Sequence, residues 1–268
     1  MIVYGVDFTS APRRAKPITA ARCEFGAGVL RVLEIERLED FAAFEALLAR
    51  PGPWLGGFDF PFGLPAEMVR DLRLPRGWRA LVAHCAGYSR ADWRRVLDGY
   101  RATRPAGGKY AHRRTDSPAG SSSPMKLVNP PVALMFHEGA PRLARAGVDV
   151  PGLARGDRTR VALETYPGLL ARAIVGRTSY KNDAPSNQTP PRAAARRRIA
   201  LALAGGRHRL GLRVAFACRR LAGQAVADGT GDTLDAVLCA VLAAWASAQP
   251  DYGLPARIPR GEGWIVSA

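Results

Sequence analysis

The sequence predicts an α/β fold in which helices flank a mixed sheet, and three features lead to that prediction. The first is an apolar strand at 1–8 followed by two segments, 18–25 and 28–36, in which apolar and polar residues alternate. The second is the helical spacing of apolar residues in 39–49, and the third is another apolar strand at 54–60. Strands that alternate with helices along the chain are typical of an α/β protein.

Turn and proline residues mark the boundaries of these elements. The turn Gly26–Gly28 separates the two alternating segments and predicts a hairpin, so the first three strands are expected to form an antiparallel meander. The helix over 39–49 carries Phe41 and Phe44 on one side, and we expect it to end at Pro51.

Residues 62–157 differ from the segments around them and predict a large helical and loop insertion within one domain that spans 1–268. Short helical stretches are predicted at 65–72, 76–84 and 89–101. A basic stretch rich in Gly, Ser and Pro follows, from Arg101 to Lys126, and we expect it to form a mobile loop.

The alternation of strand and helix resumes beyond the insertion. A strand is predicted at 160–165, and Pro167 suits the first turn of a helix. Further helices are predicted at 192–205, 212–227 and 232–248, of which the last is strongly apolar.

The basic composition favours a nucleic-acid partner without deciding it. The formal net charge is +16, and surplus Lys and Arg release counterions from a phosphate backbone. Only four of the 39 basic residues are lysine, however, and such arginine usage beside abundant Ala, Gly and Pro is also typical of a GC-rich genome. The charge therefore supports the prediction of a nucleic-acid partner, but other features of the sequence must establish it.

No segment indicates export or a membrane. The sequence has no apolar run of about 18 residues, and its first residues lack the basic stretch and the cleavage site of a signal peptide. The cysteines show no paired spacing, so they predict neither a zinc site nor a disulfide framework. We expect a cytoplasmic protein that does not act at a membrane.

Three acidic residues stand at the ends of otherwise apolar strands. They are Asp7 in IVYGVDF, Asp59 in LGGFDFP and Glu164 in VALETYP. A charged group in such a place lowers stability unless it is paired or bound to a metal. Carboxylates at neighbouring strand ends of one sheet can converge on a point, where a divalent cation relieves their repulsion and acts as a Lewis acid.

The final predicted helix adds two further carboxylates. Asp232 and Asp235 are three residues apart and therefore share one face of its first turn. Together with the strand-end acids they form an all-oxygen set that favours Mg²⁺ or Mn²⁺. Two such ions assist in-line attack on a phosphodiester, which makes a nuclease the leading hypothesis.

Each acid also has a simpler explanation. Asp232 can cap the helix while Asp235 complements its dipole. Asp59 can form a turn with the backbone that follows it, and Glu164 can pair with an arginine. Asp7 has the weakest alternative of this kind, because it ends an apolar strand. Capping and metal binding are compatible at one residue.

At these positions the sequence resembles a known family. The segments GVDFTSAP, GFDFPFGLP, ETYP and DTLDAVLCAVLAAW are similar to the motifs of predicted RNase H-like nucleases grouped as domain of unknown function 429, and the resemblance spans residues 1–248. The motif positions are Asp7; Asp59, Pro61, Gly63, Leu64 and Pro65; Glu164, Tyr166 and Pro167; and Asp232, Asp235 and Ala236. The resemblance implies an RNase H-like mixed sheet and catalytic roles for Asp7, Asp59, Glu164 and Asp235.

RuvC-type junction resolvases show a more distant similarity. They too have a first-strand Asp, an acid that ends a later strand, and an Asp-x-x-Asp-Ala start of the final helix. By that analogy Asp7, Asp59, Asp232 and Asp235 would bind the metal. The resolvases have glutamate where this chain has Asp59, and they have no counterpart of Glu164, whose role is implied by the closer family alone.

The insertion also resembles the family in its central segment. Arg113 and Arg114 lie in one matching stretch and Lys126 in another, and basic side chains near a carboxylate and metal site would hold the phosphates of a substrate. The alternative is a solvated surface loop.

The sequence therefore predicts a metal-dependent nuclease acting on DNA or RNA. Two other hypotheses remain open: a catalytically idle module that holds nucleic acid through its basic insertion, and a phosphotransferase of the actin or sugar-kinase type. The chain contains no glycine-rich phosphate loop of the kind that a phosphotransferase needs. Neither the substrate nor the oligomeric state follows from the sequence.

Overall fold

The computed structural model describes residues 1–268, which form a seven-stranded mixed sheet with helices on both faces. Across the sheet the strands lie in the order β5-β6-β4-β1-β2-β3-β7. Their bounds are β1 (Ile2–Asp7), β2 (Ile18–Gly26), β3 (Val29–Leu38), β4 (Trp54–Asp59), β5 (Val148–Asp149), β6 (Asp157–Glu164) and β7 (Arg213–Phe216).

Ten α-helices accompany the sheet. They are α1 (Phe41–Leu48), α2 (Ala66–Asp71), α3 (Trp78–Ala86), α4 (Arg90–Ala102), α5 (Asp116–Ala119), α6 (Val132–Ala146), α7 (Pro167–Val175), α8 (Pro190–Ala204), α9 (Arg219–Ala227) and α10 (Asp232–Ser247). None of them is long and apolar enough to cross a lipid bilayer.

Strand directions bring the ends of three strands to one edge of the sheet. β1 pairs antiparallel with β2, and β2 pairs antiparallel with β3, as the meander requires. β4 is parallel to β1 and β6 is parallel to β4. Because parallel strands end at the same edge, β1, β4 and β6 present their carboxyl ends side by side, which is where ligands bind in open α/β sheets.

The two faces of the sheet carry separate cores because side chains alternate along each strand. On β1, Val3 packs in the core beneath α10, whereas Tyr4 packs in the core on the opposite face. The core on the Val3 face is completed by α7, α8 and α10, and the core on the Tyr4 face by α1 and by the helices of 62–157. The predicted insertion thus shares a core with the sheet.

Helix α10 lies unusually close to the sheet because two neighbouring strands carry glycine on the face beneath it. Gly5 of β1 and Gly57 of β4 are partners in register. A Cβ atom at Gly5 would lie 2.0 Å from the carbonyl oxygen of Ala236, and one at Gly57 would lie 2.5 Å from that of Cys239. Only the absence of side chains allows this approach.

The α/β fold, the mixed sheet and the antiparallel meander are confirmed by this topology. The helix predicted over 212–227 is wrong in its first part, because Arg213–Phe216 forms β7 and pairs with β3 before α9 begins. A periodicity over four residues cannot distinguish a strand from a helix. This segment forms a strand because it can pair with the free edge of β3.

Helix α6 was not predicted, although it runs for 15 residues beside the sheet. Gly139 and Pro141 lie within it, and both residues disfavour a helix interior. Burial explains why the helix forms all the same: Phe136, Ala140 and Leu143 are fully buried in the core that the insertion shares with the sheet.

Gly5→Ala is expected to destabilise the protein by about 3 kcal/mol or more, because the new methyl group must push α10 away from β1. Chemical denaturation measures the change. Gly26→Ala is the matched control, because a Cβ atom at Gly26 would meet no atom within 4 Å. Equal stability of the two variants would show that α10 does not depend on this close approach.

Candidate active site

Two aspartates end neighbouring parallel strands directly beneath the start of α10. Asp7 is the last residue of β1, Asp59 is the last residue of β4, and the two are partners in register. Each lies two residues after the glycine that faces α10, so both carboxylates point to the helix side of the sheet.

Helix α10 supplies the other two acids from its first turn. Its N-cap is Gly231, which has a φ of 81°, and Asp232 is therefore its first helical residue and not its cap. Asp235 lies one turn inside the helix and is fully buried. Both carboxylates stand near the positive end of the helix dipole, which favours negative charge there.

The environment disfavours ionisation of Asp7, Asp59 and Asp235. Burial, followed by the charge of Asp232, raises the pKa of Asp7 well above its usual range. Burial also raises the pKa of Asp59 to about 7, with the repulsion of Asp235 adding to it. Burial also raises the pKa of Asp235, and the negative charge of Asp232 adds to this rise.

Asp7 and Asp59 are the two carboxylates of this group that accept no hydrogen bond from another protein group. Asp7 is nevertheless only 9% exposed. The simpler explanation for Asp59, a turn with its own backbone, is therefore absent from the structure. Carboxylates in such a place either take up a proton, as their raised pKa values indicate for the metal-free protein, or bind a compensating cation.

Asp235 is held by two residues of the loop between α7 and α8. The hydroxyl group of Tyr180 donates a hydrogen bond to Oδ1 at 2.5 Å, and the ammonium group of Lys181 contacts Oδ2. Burial alone would lower the pKa of Lys181, but Asp235, Tyr180 and Asp7 outweigh it and raise that pKa well above its usual range. Lys181 is therefore protonated and positively charged beside the acids.

Asp232 is held by a second lysine. Lys16, in the loop between β1 and β2, donates hydrogen bonds to both carboxylate oxygens of Asp232, at 2.9 and 3.0 Å. It also contacts Asp183 at 2.8 Å. The site thus contains four carboxylates and two ammonium groups, supplied by the strand ends, by α10 and by two loops.

Glu164 does not join this group. It ends β6 but pairs in register with Phe58, one residue before Asp59, so it projects from the opposite face of the sheet. There it forms an ion pair with Arg113, whose two terminal nitrogens lie 2.7 and 2.8 Å from its oxygens, and it accepts a hydrogen bond from the backbone N–H of Phe62. The contacts of Glu164 therefore agree with its simpler explanation, which is pairing with an arginine.

Arg113 connects three parts of the chain and is itself only 3% exposed. Besides Glu164 it binds Asp116 at 2.9 Å and donates a hydrogen bond to the backbone carbonyl of Glu262. Burial disfavours its charge, but Glu164 and Asp116 more than compensate and raise its pKa. In this structure the guanidinium group is engaged by protein carboxylates and not exposed to a substrate.

The other two basic residues predicted to bind substrate are more accessible. Arg114 is exposed and uses only its backbone N–H, which donates to Glu262 at 3.0 Å. Lys126 is half-buried, and its ammonium group lies 3.5 Å from the hydroxyl oxygen of Ser122. Neither side chain contacts the four clustered acids.

Lys16, Tyr180 and Lys181 were not predicted as site residues. Tyr180 and Lys181 lie in a segment, Tyr180-Lys181-Asn182, that resembles the family motifs, but the sequence offered no physical role for it. A second signal was present in the composition: lysine is rare in this arginine-rich chain, and two of its four lysines contact the acids.

A divalent cation fits the chemistry of this donor set, although no group of three or more Asp, Glu, His or Cys residues has a metal-ligating arrangement here. All the donors are carboxylate oxygens, which Mg²⁺ and Mn²⁺ prefer. The fit rests on Asp7 and Asp59, whose carboxylates lack hydrogen-bond donors. The obstacle is Lys181, whose ammonium group contacts Asp235.

The comparisons with known proteins identify a family and nothing narrower. A family model described as "Protein of unknown function (DUF429)" matches residues 5–259, and the chain belongs to this family. No curated protein and no solved structure matches the chain.

Arg113→Met is expected to lower the free energy of unfolding by about 3–5 kcal/mol, because it leaves the buried carboxylates of Glu164 and Asp116 without their cation. Urea denaturation measures the loss. Arg114→Met removes the same charge from the next residue, whose side chain is exposed, and should change stability by less than about 0.5 kcal/mol. A small effect of Arg113→Met would contradict the importance of this ion-pair network.

Asp59→Asn is expected to make the metal-free protein more stable at pH 8 and to leave its stability nearly unchanged at pH 4. The folded protein holds a proton on Asp59 up to about pH 7, whereas the unfolded chain loses it near pH 4. Its unfolding free energy therefore falls as the pH rises through that window, by about 2–4 kcal/mol.

Denaturation in the presence of a chelator, at several values of pH, measures this difference. Asp98→Asn is the control, because Asp98 is an exposed acid on α4. Parallel pH profiles of the wild type and Asp59→Asn would contradict the raised pKa.

Proposed function

We propose that this DUF429 member is a divalent-metal-dependent nuclease with an RNase H-like catalytic core. The observation that carries the proposal is the register of Asp7 and Asp59. The buried Asp7 and the partly buried Asp59, neither of which accepts a hydrogen bond, lie side by side on parallel strands, beneath a helix start that adds Asp235 and Asp232. The all-oxygen donor set and the basic charge of the chain both support it.

In this proposal Asp7, Asp59 and Asp235 hold the principal ion, and Asp232 contributes to a second position. When bound, Mg²⁺ or Mn²⁺ supplies a Lewis acid for hydrolysis of a phosphodiester. The protein's own contribution is to hold the carboxylates in place before the ion arrives. Gly5 and Gly57 do this by letting α10 lie close enough for its first turn to reach the strand ends.

Basic residues at the site and in the insertion would hold the nucleic acid. Lys16 and Lys181 lie against the carboxylates, and the exposed side chain of Arg114 and the partly exposed one of Lys126 are free of ion pairs with protein acids. Arg113 acts on substrate indirectly in this proposal. It ties the insertion to the strand end at Glu164 and so fixes the position of Arg114 beside it.

A catalytically idle nucleic-acid-binding module is the second candidate, and one observation favours it. Lys16 already neutralises Asp232, and Lys181 already neutralises Asp235. In an idle module these lysines would replace the metal permanently. The two candidates differ in whether the purified protein binds Mn²⁺ and in whether bound Mn²⁺ leads to cleavage.

Cleavage of labelled single-stranded and double-stranded DNA and RNA in the presence of Mn²⁺ tests the proposal. Asp7→Asn is expected to reduce the rate roughly a hundredfold or more, because it removes the charge of one of the carboxylates proposed to hold the principal ion. Glu39→Gln removes an exposed acid outside the site and should keep the wild-type rate.

Equal cleavage by the wild type and Asp7→Asn would refute the nuclease proposal, since it would point to a contaminating activity. Binding of nucleic acid without Mn²⁺ binding and without any cleavage would favour the idle module. Loss of cleavage in Asp7→Asn with retained binding of nucleic acid is the outcome that the proposal requires.

A further inference from the structure

The proposed activity does not explain why Lys181 contacts a buried acid of the site while much of its side chain is exposed to solvent. Its ammonium group contacts Oδ2 of Asp235, which is fully buried, yet the Lys181 side chain is 41% exposed. One end of the side chain is therefore fixed to a buried acid while the rest is open to solvent.

The charge of Lys181 acts on three acids at once. It opposes the rise in pKa of Asp7, of Asp59 and of Asp235, so it is a positive neighbour that all three share. The only carboxylate oxygen that Lys181 contacts is Oδ2 of Asp235, which a divalent cation bound by this group would also use. The ammonium group and a divalent cation would compete for this oxygen, because both need its lone pairs and they repel each other at short range.

The backbone around Lys181 is held without its ammonium group. The carbonyl of Tyr180 accepts a hydrogen bond from Arg196 at 2.7 Å, and the N–H of Asn182 donates to the carbonyl of Gly229 at 3.1 Å. The Lys181 side chain packs against Gly231, where any other residue would clash with it, since a Cβ atom at Gly231 would lie 2.7 Å from Cβ of Lys181. The side chain can therefore swing out through its own rotatable bonds while the loop stays in place.

We propose that Lys181 is a tethered counter-cation that competes with the divalent metal for Asp235, so that metal binds only when the ammonium group leaves the carboxylate. The inference rests on the metal site of the proposed function. It explains how the metal-free protein tolerates clustered buried acids, and it makes Lys181 a positioning residue whose release accompanies metal loading. The released ammonium group stays beside the site, where a substrate phosphate would meet it.

Calorimetric titration of Mn²⁺ into the wild type and into Lys181→Gln tests the competition. Lys181→Gln is expected to bind Mn²⁺ roughly tenfold more tightly, because no ammonium group has to be displaced. Without metal the same variant should have a lower melting temperature than the wild type, and it should gain more from added Mn²⁺. Lys181→Arg keeps the charge and should show weak, wild-type-like binding.

Lys109→Gln is the control for overall charge. Lys109 is an exposed lysine of the insertion with no ion pair, so its loss lowers the net charge equally and should leave the affinity for Mn²⁺ unchanged. An equal gain in both glutamine variants would overturn the proposal, because the effect would then come from the overall charge of the protein.

A measurement on the wild type covers the case in which Lys181→Gln does not fold. Acetylation of lysines followed by peptide mass spectrometry should show faster labelling of Lys181 in saturating Mg²⁺ than in a chelator, because the amine released from Asp235 is free to react. Lys109 in the same sample provides the internal reference. Labelling of Lys181 that is unchanged by Mg²⁺ would overturn the proposal.

These results separate this inference from the nuclease proposal. If the wild type binds Mn²⁺ and cleaves nucleic acid while Lys181→Gln binds Mn²⁺ equally or less tightly, the competition is refuted and the nuclease stands. If only Lys181→Gln binds Mn²⁺, the competition is supported and the nuclease proposal fails for the wild type. Absence of Mn²⁺ binding in both proteins would overturn both.

Discussion

The close packing of α10 against β1 and β4 is the constraint on which the candidate site depends. At Gly5 and Gly57 the helix backbone occupies the space that a Cβ atom would need. This places the first turn of α10 directly over the ends of the two strands, where Asp7 and Asp59 project from the same face. A side chain at either glycine would separate the two pairs of carboxylates, so the geometry of the site is built into the core of the protein.

Clustering of these acids creates an electrostatic problem, which the protein addresses with two lysines from different loops. Each lysine contacts an acid of α10, whereas the strand-end acids accept no hydrogen bond from the protein. The compensation is therefore uneven. It leaves Asp7 and Asp59 without a direct cationic partner, while the ammonium group of Lys181 contacts the neighbouring Asp235.

The opposite face of the sheet shows how the insertion is fixed to the same edge. Arg113 is buried between Glu164 and Asp116 and also reaches the backbone of Glu262 near the end of the chain. Glu262 in turn accepts hydrogen bonds from the backbone N–H groups of Ala66 and Arg114. The segments around residues 66, 113 and 262 are thus joined to one another at the end of β6. These contacts give the basic insertion a defined position relative to the carboxylates.

Much of the fold was determined by local sequence patterns. Alternating residues with the turn Gly26–Gly28 predict the meander, and the apolar helix over 232–248 is α10. The same patterns place Asp7 and Asp59 at strand ends, because an acid in an apolar strand is conspicuous in sequence. Strand β7 and helix α6 were not predicted because local propensity is not what stabilises them. Pairing with the free edge of β3 stabilises β7, and burial in the core that the insertion shares with the sheet stabilises α6.

The tertiary structure alone decided which acids belong together. The sequence placed Glu164 beside Asp7 and Asp59, since all three end strands at one edge of the sheet. Register separates them: Glu164 pairs with Phe58 and therefore faces away from α10. A shift of one residue changes the face of a side chain, and sequence does not reveal register between strands that are far apart along the chain. The contacts of Lys16 and Lys181 were hidden for a related reason, because each spans more than 50 residues of sequence to reach its acid.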